Sequence, residues 1–125
     1  MDISIPISIG ELCDKVSILE IKRENIADTT KLEHINFELS SLREILVQQS
    51  VVDDPLFFKL KAINQKLWET EDDIRECERE KDFGTKFIEL ARNVYHFNDE
   101  RFRIKSEINK KHRSTIFEEK SYKQY

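Results

Sequence analysis

From Thr85 to Lys111 neither glycine nor proline interrupts the chain, and Phe87, Leu90, Val94, Phe97, Ile104 and Ile108 recur at helical spacing. Such a segment is one long helix of some 40 Å at ~1.5 Å per residue. One position breaks its seam. Where Phe83, Phe87, Leu90, Val94 and Phe97 call next for a leucine, the chain carries Arg101. The remaining sequence repeats the first lesson, for 125 residues contain only two glycines and two prolines. With so few places to turn, and with 37% charged and 38% hydrophobic residues, the composition suits long amphipathic helices.

Helical spacing and end signals divide the chain into helices at about 9–27, 31–49, 55–79 and 85–111. Ser8 with Glu11 has the form of a capping box, followed by the seam Ile9, Leu12, Val16, Leu19, Arg23, Ile26. Ile18 and Ile21 add a second apolar strip, so the first helix is expected to touch neighbours on two faces and to lie centrally. Thr30 with Glu33 has the same box form, opening the seam Leu32, Ile35, Leu39, Leu42, Leu46. Asp54 and Pro55 supply an N-cap and a proline at the first helical position, where its missing amide proton costs nothing. In the break KDFGT, Gly84 is the expected left-handed residue. The tight break makes the third and fourth helices antiparallel neighbours. Ile3, Ile5 and Ile7 alternate with polar residues or proline in the manner of a short strand, confined by Pro6 to an edge or an extended arm. The tail RSTIFEEKSYKQY has no helical period, and Ile116 and Phe117 are its candidate anchors.

The length suits a single domain over 1–125, burying about two thirds of the surface exposed when unfolded. The net charge is −4, and it is segregated: 13 Lys and Arg against 22 Asp and Glu give −9 for residues 1–100, while 8 against 3 give +5 for residues 101–125. An anionic chain is a poor binder of nucleic acid, whose affinity comes from phosphate neutralisation. Cys13 and Cys77 form no CxxC and lie on or beside apolar stripes, so both are expected as buried reduced thiols. That suits a cytoplasmic setting. MDISIPIS has no basic leader region, and no apolar run reaches the ~20 residues of a membrane span.

On the fourth helix Asn98, Arg101 and Lys105 fall within about 60° of one another, on or beside the apolar stripe. On the third, Asn64, Trp68, Glu71 and Arg75 make a similar strip, with Glu71 and Arg75 in the favourable i, i+4 order. The first contributes Asp14 and Lys15, with Glu11 placed to pair with Lys15, and the strips converge if the first, third and fourth helices adjoin. A charge facing the interior costs several kcal/mol unless paired, so Arg101 requires carboxylates or a bound anion. Glu71, Asp72 and Asp14 are the candidate partners. Three readings follow: an ion network that sets helix register, an Arg101 whose head reaches water at the rim, or a pocket in which Asp14, Asn64, Trp68, Glu71, Arg75, Asn98, Arg101 and Lys105 hold a carboxylate or phosphate.

Glu69, Glu71, Asp72 and Asp73 offer oxygen ligands of the kind magnesium takes, but their spacing is loose and solvated carboxylates are the simpler account. No metal or other cofactor is expected. His34, His96 and His112 lack metal-ligand spacing. The sequence has no P-loop, GxGxxG or Ser/His/Asp grouping.

SIGELCDKVSILEIK at 8–22, NQKLWETEDDIRECE at 64–78, FIELARNVYHFNDERFRIKSEIN at 87–109 and EEKSY at 118–122 together resemble a family of small uncharacterised bacterial all-helical proteins. A more distant similarity, through LWxxED and NxxR elements, is to a second uncharacterised helical family. The resemblance implies no catalytic residues, and it implies a supporting role in surface-polysaccharide assembly. Residues 50–60 match it less clearly.

The expected architecture is an all-α antiparallel four-helix bundle with a short extended N-terminal arm and an irregular C-terminal tail. Ile18, Ile21, Phe37, Phe58 and Phe102 exceed what one seam buries, which predicts a homodimer. The leading functional expectation is a helical binding or scaffolding module with a small anionic ligand or a protein as partner. The alternatives are a helical-bundle enzyme acting on a small anionic metabolite through Arg101, Lys105 and Glu71, and a magnesium-dependent nucleotide hydrolase using the Glu69 to Asp73 cluster.

Overall fold

The computed structural model, which describes residues 1–125, contains four helices and no strand: α1 (Ile9–Asn25), α2 (Thr29–Gln48), α3 (Pro55–Glu80) and α4 (Thr85–Lys111). The all-α four-helix arrangement is the one the spacing predicts. None of the helices is long and apolar enough to cross a membrane.

The helix ends show which local signals won. Ser8 Oγ accepts from the Glu11 amide at 3.1 Å, but only half of the capping box forms, because the Glu11 carboxylate turns away to Lys105. α1 stops at Asn25, where Ile26 takes an extended backbone. α2 starts at Thr29 and not at residue 31: Asp28, not Thr30, is its cap, with Oδ1 accepting from Lys31 N at 2.9 Å. Asp54 caps α3 by accepting from Leu56 N at 2.8 Å, and Pro55 follows it as expected. The left-handed residue that ends α3 is Lys81 (φ 58°), not Gly84, whose φ of −82° any residue can adopt. With Lys81 in that conformation, the Asp82 amide reaches Cys77 O at 2.9 Å and Lys81 N reaches Glu78 O at 3.2 Å, satisfying two end carbonyls.

α1 is the hub. It packs against α2, α3 and α4, whereas α2 comes close to α1 alone. One apolar cluster joins Leu12, Val16 and Leu19 of α1 to Leu39 and Leu46 of α2, Leu60 and Ile63 of α3, and Ile108 of α4. At ~1.5–3 kcal/mol for each large side chain withdrawn from water, this cluster is the main attractive term of the fold. Cys13 and Cys77 are both buried and unbridged. Burial, reinforced by the nearby Asp54 and Asp14 carboxylates, pushes the Cys13 thiol up to about 12, so at neutral pH it is not a nucleophile.

The cluster ends at Ile63 on α3 and Ile104 on α4, with Phe97 packed half-buried against it. Past that level α3 and α4 continue as a two-helix arm, about 25 Å long at ~1.5 Å per residue. Beyond Asn64, only Thr70 and Cys77 are buried along the arm, and Phe83 and Ile88 at its tip are half exposed.

The N-terminal residues are an extended arm but not a strand, since nothing pairs with them, and Ile3 and Ile5 are exposed. Ile116 and Phe117 are not buried as anchors of the tail; they are 41% and 49% exposed. Of the five surplus apolar residues, Ile21 is covered within the chain at 1% exposure, because α1 has neighbours on both faces. Ile18 and Phe102 are half-buried, and Phe37 and Phe58 stay exposed.

Two features of the base fix helix positions. Gly10 lies so close to α4 that a Cβ there would meet Lys105 O at 2.6 Å and Asn109 Oδ1 at 2.8 Å. Asn109, 1% exposed, uses that oxygen to accept from the Gly10 amide at 2.7 Å, serving one of the unpaired donors at the start of α1. Asp54, besides capping α3, binds Lys111 Nζ at 2.9 Å and accepts from His112 Nε2 at 2.7 Å, tying the start of α3 to the end of α4. Burial raises its carboxyl, but the Lys111, Leu56 amide and His112 hydrogen bonds outweigh this and hold it at about 2.

Alanine is ordinarily favoured over glycine in a helix by ~1 kcal/mol, yet Gly10→Ala is expected to destabilise the protein by roughly 1–3 kcal/mol in urea unfolding, because a backbone oxygen must move aside. A second expectation concerns acid. The ionised Asp54 is favoured in the folded state, so its contribution is fully present above the ordinary 3.8 and is lost as pH falls through about 2. That contribution is no more than ~2 kcal/mol once screening at the half-exposed Lys111 is allowed for. Asp54→Asn keeps a capping oxygen but not the charge, so its stability deficit measured against pH should shrink across that window.

Candidate functional site

The question raised by Arg101 has a direct answer. Its guanidinium grips Asp14 of α1 with two donors, Nε to Oδ1 at 2.9 Å and Nη2 to Oδ2. Asp14 is 2% exposed and Arg101 about a quarter. Asn64 of α3 completes the set, donating from Nδ2 to Asp14 Oδ1 at 2.9 Å and to Ser17 Oγ at 2.8 Å. Ser17 in turn donates to the Asp14 carbonyl at 2.8 Å. Asn98, one turn before Arg101, accepts from Nη1 at 3.3 Å. Burial alone would raise the Asp14 carboxyl, but the bonds from Arg101 and Asn64 and the positive charges of Arg101 and Lys105 hold it below its ordinary value. Arg101 is shifted upward by its bond to Asp14, against the opposing effect of burial.

Lys105, one turn beyond Arg101, is 5% exposed. Its ammonium lies 3.3 Å from Glu11 of α1 and 3.0 Å from Glu118 Oε1 of the tail. The network thus joins α1, α3, α4 and the tail, with each cation facing a carboxylate of another element.

Of the expected site residues, Asp14, Asn64, Asn98, Arg101 and Lys105 come together. Glu71 and Asp72 do not reach Arg101. Glu71 pairs with Arg75 at 3.5 Å on the exposed face of the arm, beyond the level at which α1 crosses α3, and Trp68 is half-buried there. Lys15 pairs with Glu38 of α2 at 3.1 Å and not with Glu11. No three acidic, histidine or cysteine side chains converge, and Glu69, Glu71, Asp72 and Asp73 are all exposed.

Sequence reasoning missed a second ionic node on the other side of α1. Glu20, 5% exposed, meets Arg43 of α2 and Lys61 of α3, the latter at 3.1 Å, and Lys61 also holds Glu24 at 2.7 Å. Burial would lower the Lys61 ammonium, but Glu24 and Glu20 outweigh it and raise it. An acid flanked by Leu19 and Ile21 was the available signal. The tail was missed too. Glu118 reaches Lys105, and Tyr125 donates to Asp99 with His96 Nδ1 3.1 Å away.

Chemically, both cations of the inner network face carboxylates: Arg101 faces Asp14, and Lys105 faces Glu11 and Glu118. Arg101→Met should leave Asp14 buried and unpaired, at a cost of ~3–5 kcal/mol. Adding Asp14→Asn removes the orphaned charge. Urea unfolding of the four-variant cycle should therefore return a coupling of at least about 1 kcal/mol between the two positions.

Comparison with curated proteins and with solved structures gave no match to the chain. A family model does match, over residues 3–125, which takes in all four helices, the ionic network and the tail. The chain therefore belongs to a family of unknown function (DUF6165).

Proposed function

We propose that the chain is a non-catalytic helical binding module that acts as a homodimer through its projecting α3–α4 arm. The observation that carries this reading is the contrast between a base whose buried charges are paired and an arm whose apolar seam is incompletely covered. At the base, Arg101 and Lys105 are engaged by Asp14, Glu11 and Glu118, and burial keeps the Cys13 thiol protonated.

The arm is a different case. Two helices alone cannot enclose a seam, and Phe83 and Ile88 remain half exposed at the tip. The occupant we assign is a second copy of the same arm. Residues 64–80 of the arm carry 7 Asp and Glu against 3 Lys and Arg, a net of −4, while residues 81–97 carry 2 against 3, a net of +1. A two-fold pairing sets the acidic helix of each arm against the cationic helix of the other and closes a four-helix unit. Support of surface-polysaccharide assembly is the setting implied by the family resemblance, and a paired scaffold is compatible with it.

Sedimentation velocity at tens of micromolar should show a dimer, and Ile88→Lys should shift it to monomer with the helical circular dichroism unchanged. A wild-type chain that is only monomeric at that concentration contradicts the proposal.

A further inference from the structure

The tail and α4 enclose a feature that the inner network does not use. From Glu118 onward the tail runs back along α4: Glu118 meets Lys105, Lys120 lies over the Phe102 ring at 5.4 Å, and Tyr125 reaches Asp99 and His96. Between the two runs a half-open groove of about 840 Å³. That volume lies within the ~300–1,000 Å³ of small-molecule sites.

Arg103, Lys120 and Lys123 all border the groove, and none of them has a carboxylate within ion-pair distance. The one carboxylate in the wall, Asp99, already accepts from the Tyr125 hydroxyl, which raises that phenol above its ordinary value. In a chain of net charge −4, three unpaired cations around one groove concentrate positive potential where a bound anion would feel it.

The rest of the wall is aromatic. Tyr95, Phe102, Tyr122 and Tyr125 contribute, with Tyr95 and Tyr125 packed edge to face at 5.3 Å between centroids. Lys120 sits between two of these rings, 5.4 Å from Phe102 and 5.6 Å from Tyr122. Aromatic faces bind flat rings by stacking, and ammonium groups beside them bind phosphate. From this pairing we infer that the α4–tail groove is a binding site for a nucleoside phosphate, with Tyr122 and Phe102 contacting the ring and Arg103, Lys120 and Lys123 the phosphates. The site lies outside the inner Asp14–Arg101 network and does not depend on the dimer.

Isothermal titration calorimetry of the full chain with ADP tests it, with adenosine and inorganic pyrophosphate as separate arms. ADP should bind with a Kd below about 1 mM, and adenosine and pyrophosphate should each bind at least about tenfold more weakly, because each keeps only half of the contacts. The double variant Lys120→Gln, Lys123→Gln and the single variant Tyr122→Ala should each weaken ADP about tenfold or more. All three residues are exposed, so melting curves should match the wild type. Absence of ADP binding overturns the inference. So does pyrophosphate binding as tightly as ADP, which would mark a bare anion site, and so does ADP binding that the variants leave unchanged.

Discussion

A carboxylate at 2% exposure has lost nearly all its water, and left alone it would cost several kcal/mol. Asp14 is in that position, and the planar fork of Arg101 is the group whose geometry matches both its oxygens at once. Asn64 donates a further hydrogen bond to Oδ1, and Ser17 accepts from the same amide nitrogen. Because these partners sit on three different helices, the need to satisfy one charge sets the relative position of α1, α3 and α4. An apolar seam of leucines and isoleucines tolerates sliding by a turn; a guanidinium facing one carboxylate does not. Such an arrangement adds definition to the packing more than it adds net stability.

The same logic recurs around α1. Glu20 is shared by Arg43 and Lys61, so the helix is fastened to α2 and α3 on one side as Asp14 fastens it to α3 and α4 on the other. Close approach is possible on the α4 side because Gly10 has no side chain to hold the helices apart. Charge inside this small protein is thus organised around its central helix.

Periodicity made the four helices legible, along with the central place of α1 and the inward direction of Arg101. It also identified Asp14 as one of three possible partners. It could not choose among them, because an angle around one helix axis says nothing about which level of a neighbour lies opposite. Glu71 is on the expected side of α3, but it lies about two turns beyond Asn64, the residue of α3 that meets Asp14. End signals were ambiguous where two were adjacent. Asp28 and Thr30 both suit a cap, and the carboxylate prevailed; Lys81 took the left-handed turn that Gly84 could have taken, because it comes directly after the last helical residue. The tail was least legible. Its contacts with α4 come from single side chains at irregular spacing, and no period announces them.

The span in sequence between Asp14 and Arg101, 87 residues, has a consequence for how the chain is made. At the ~5–20 residues per second of protein synthesis, Asp14 emerges roughly 4–17 seconds before its partner exists. During that interval the first two helices have no α3–α4 hairpin to cover them, and the side of α1 destined for the interior stays wet around its acid. The nascent α1–α2 pair is therefore a waiting half, kept hydrated by the same aspartate that later locks it in place.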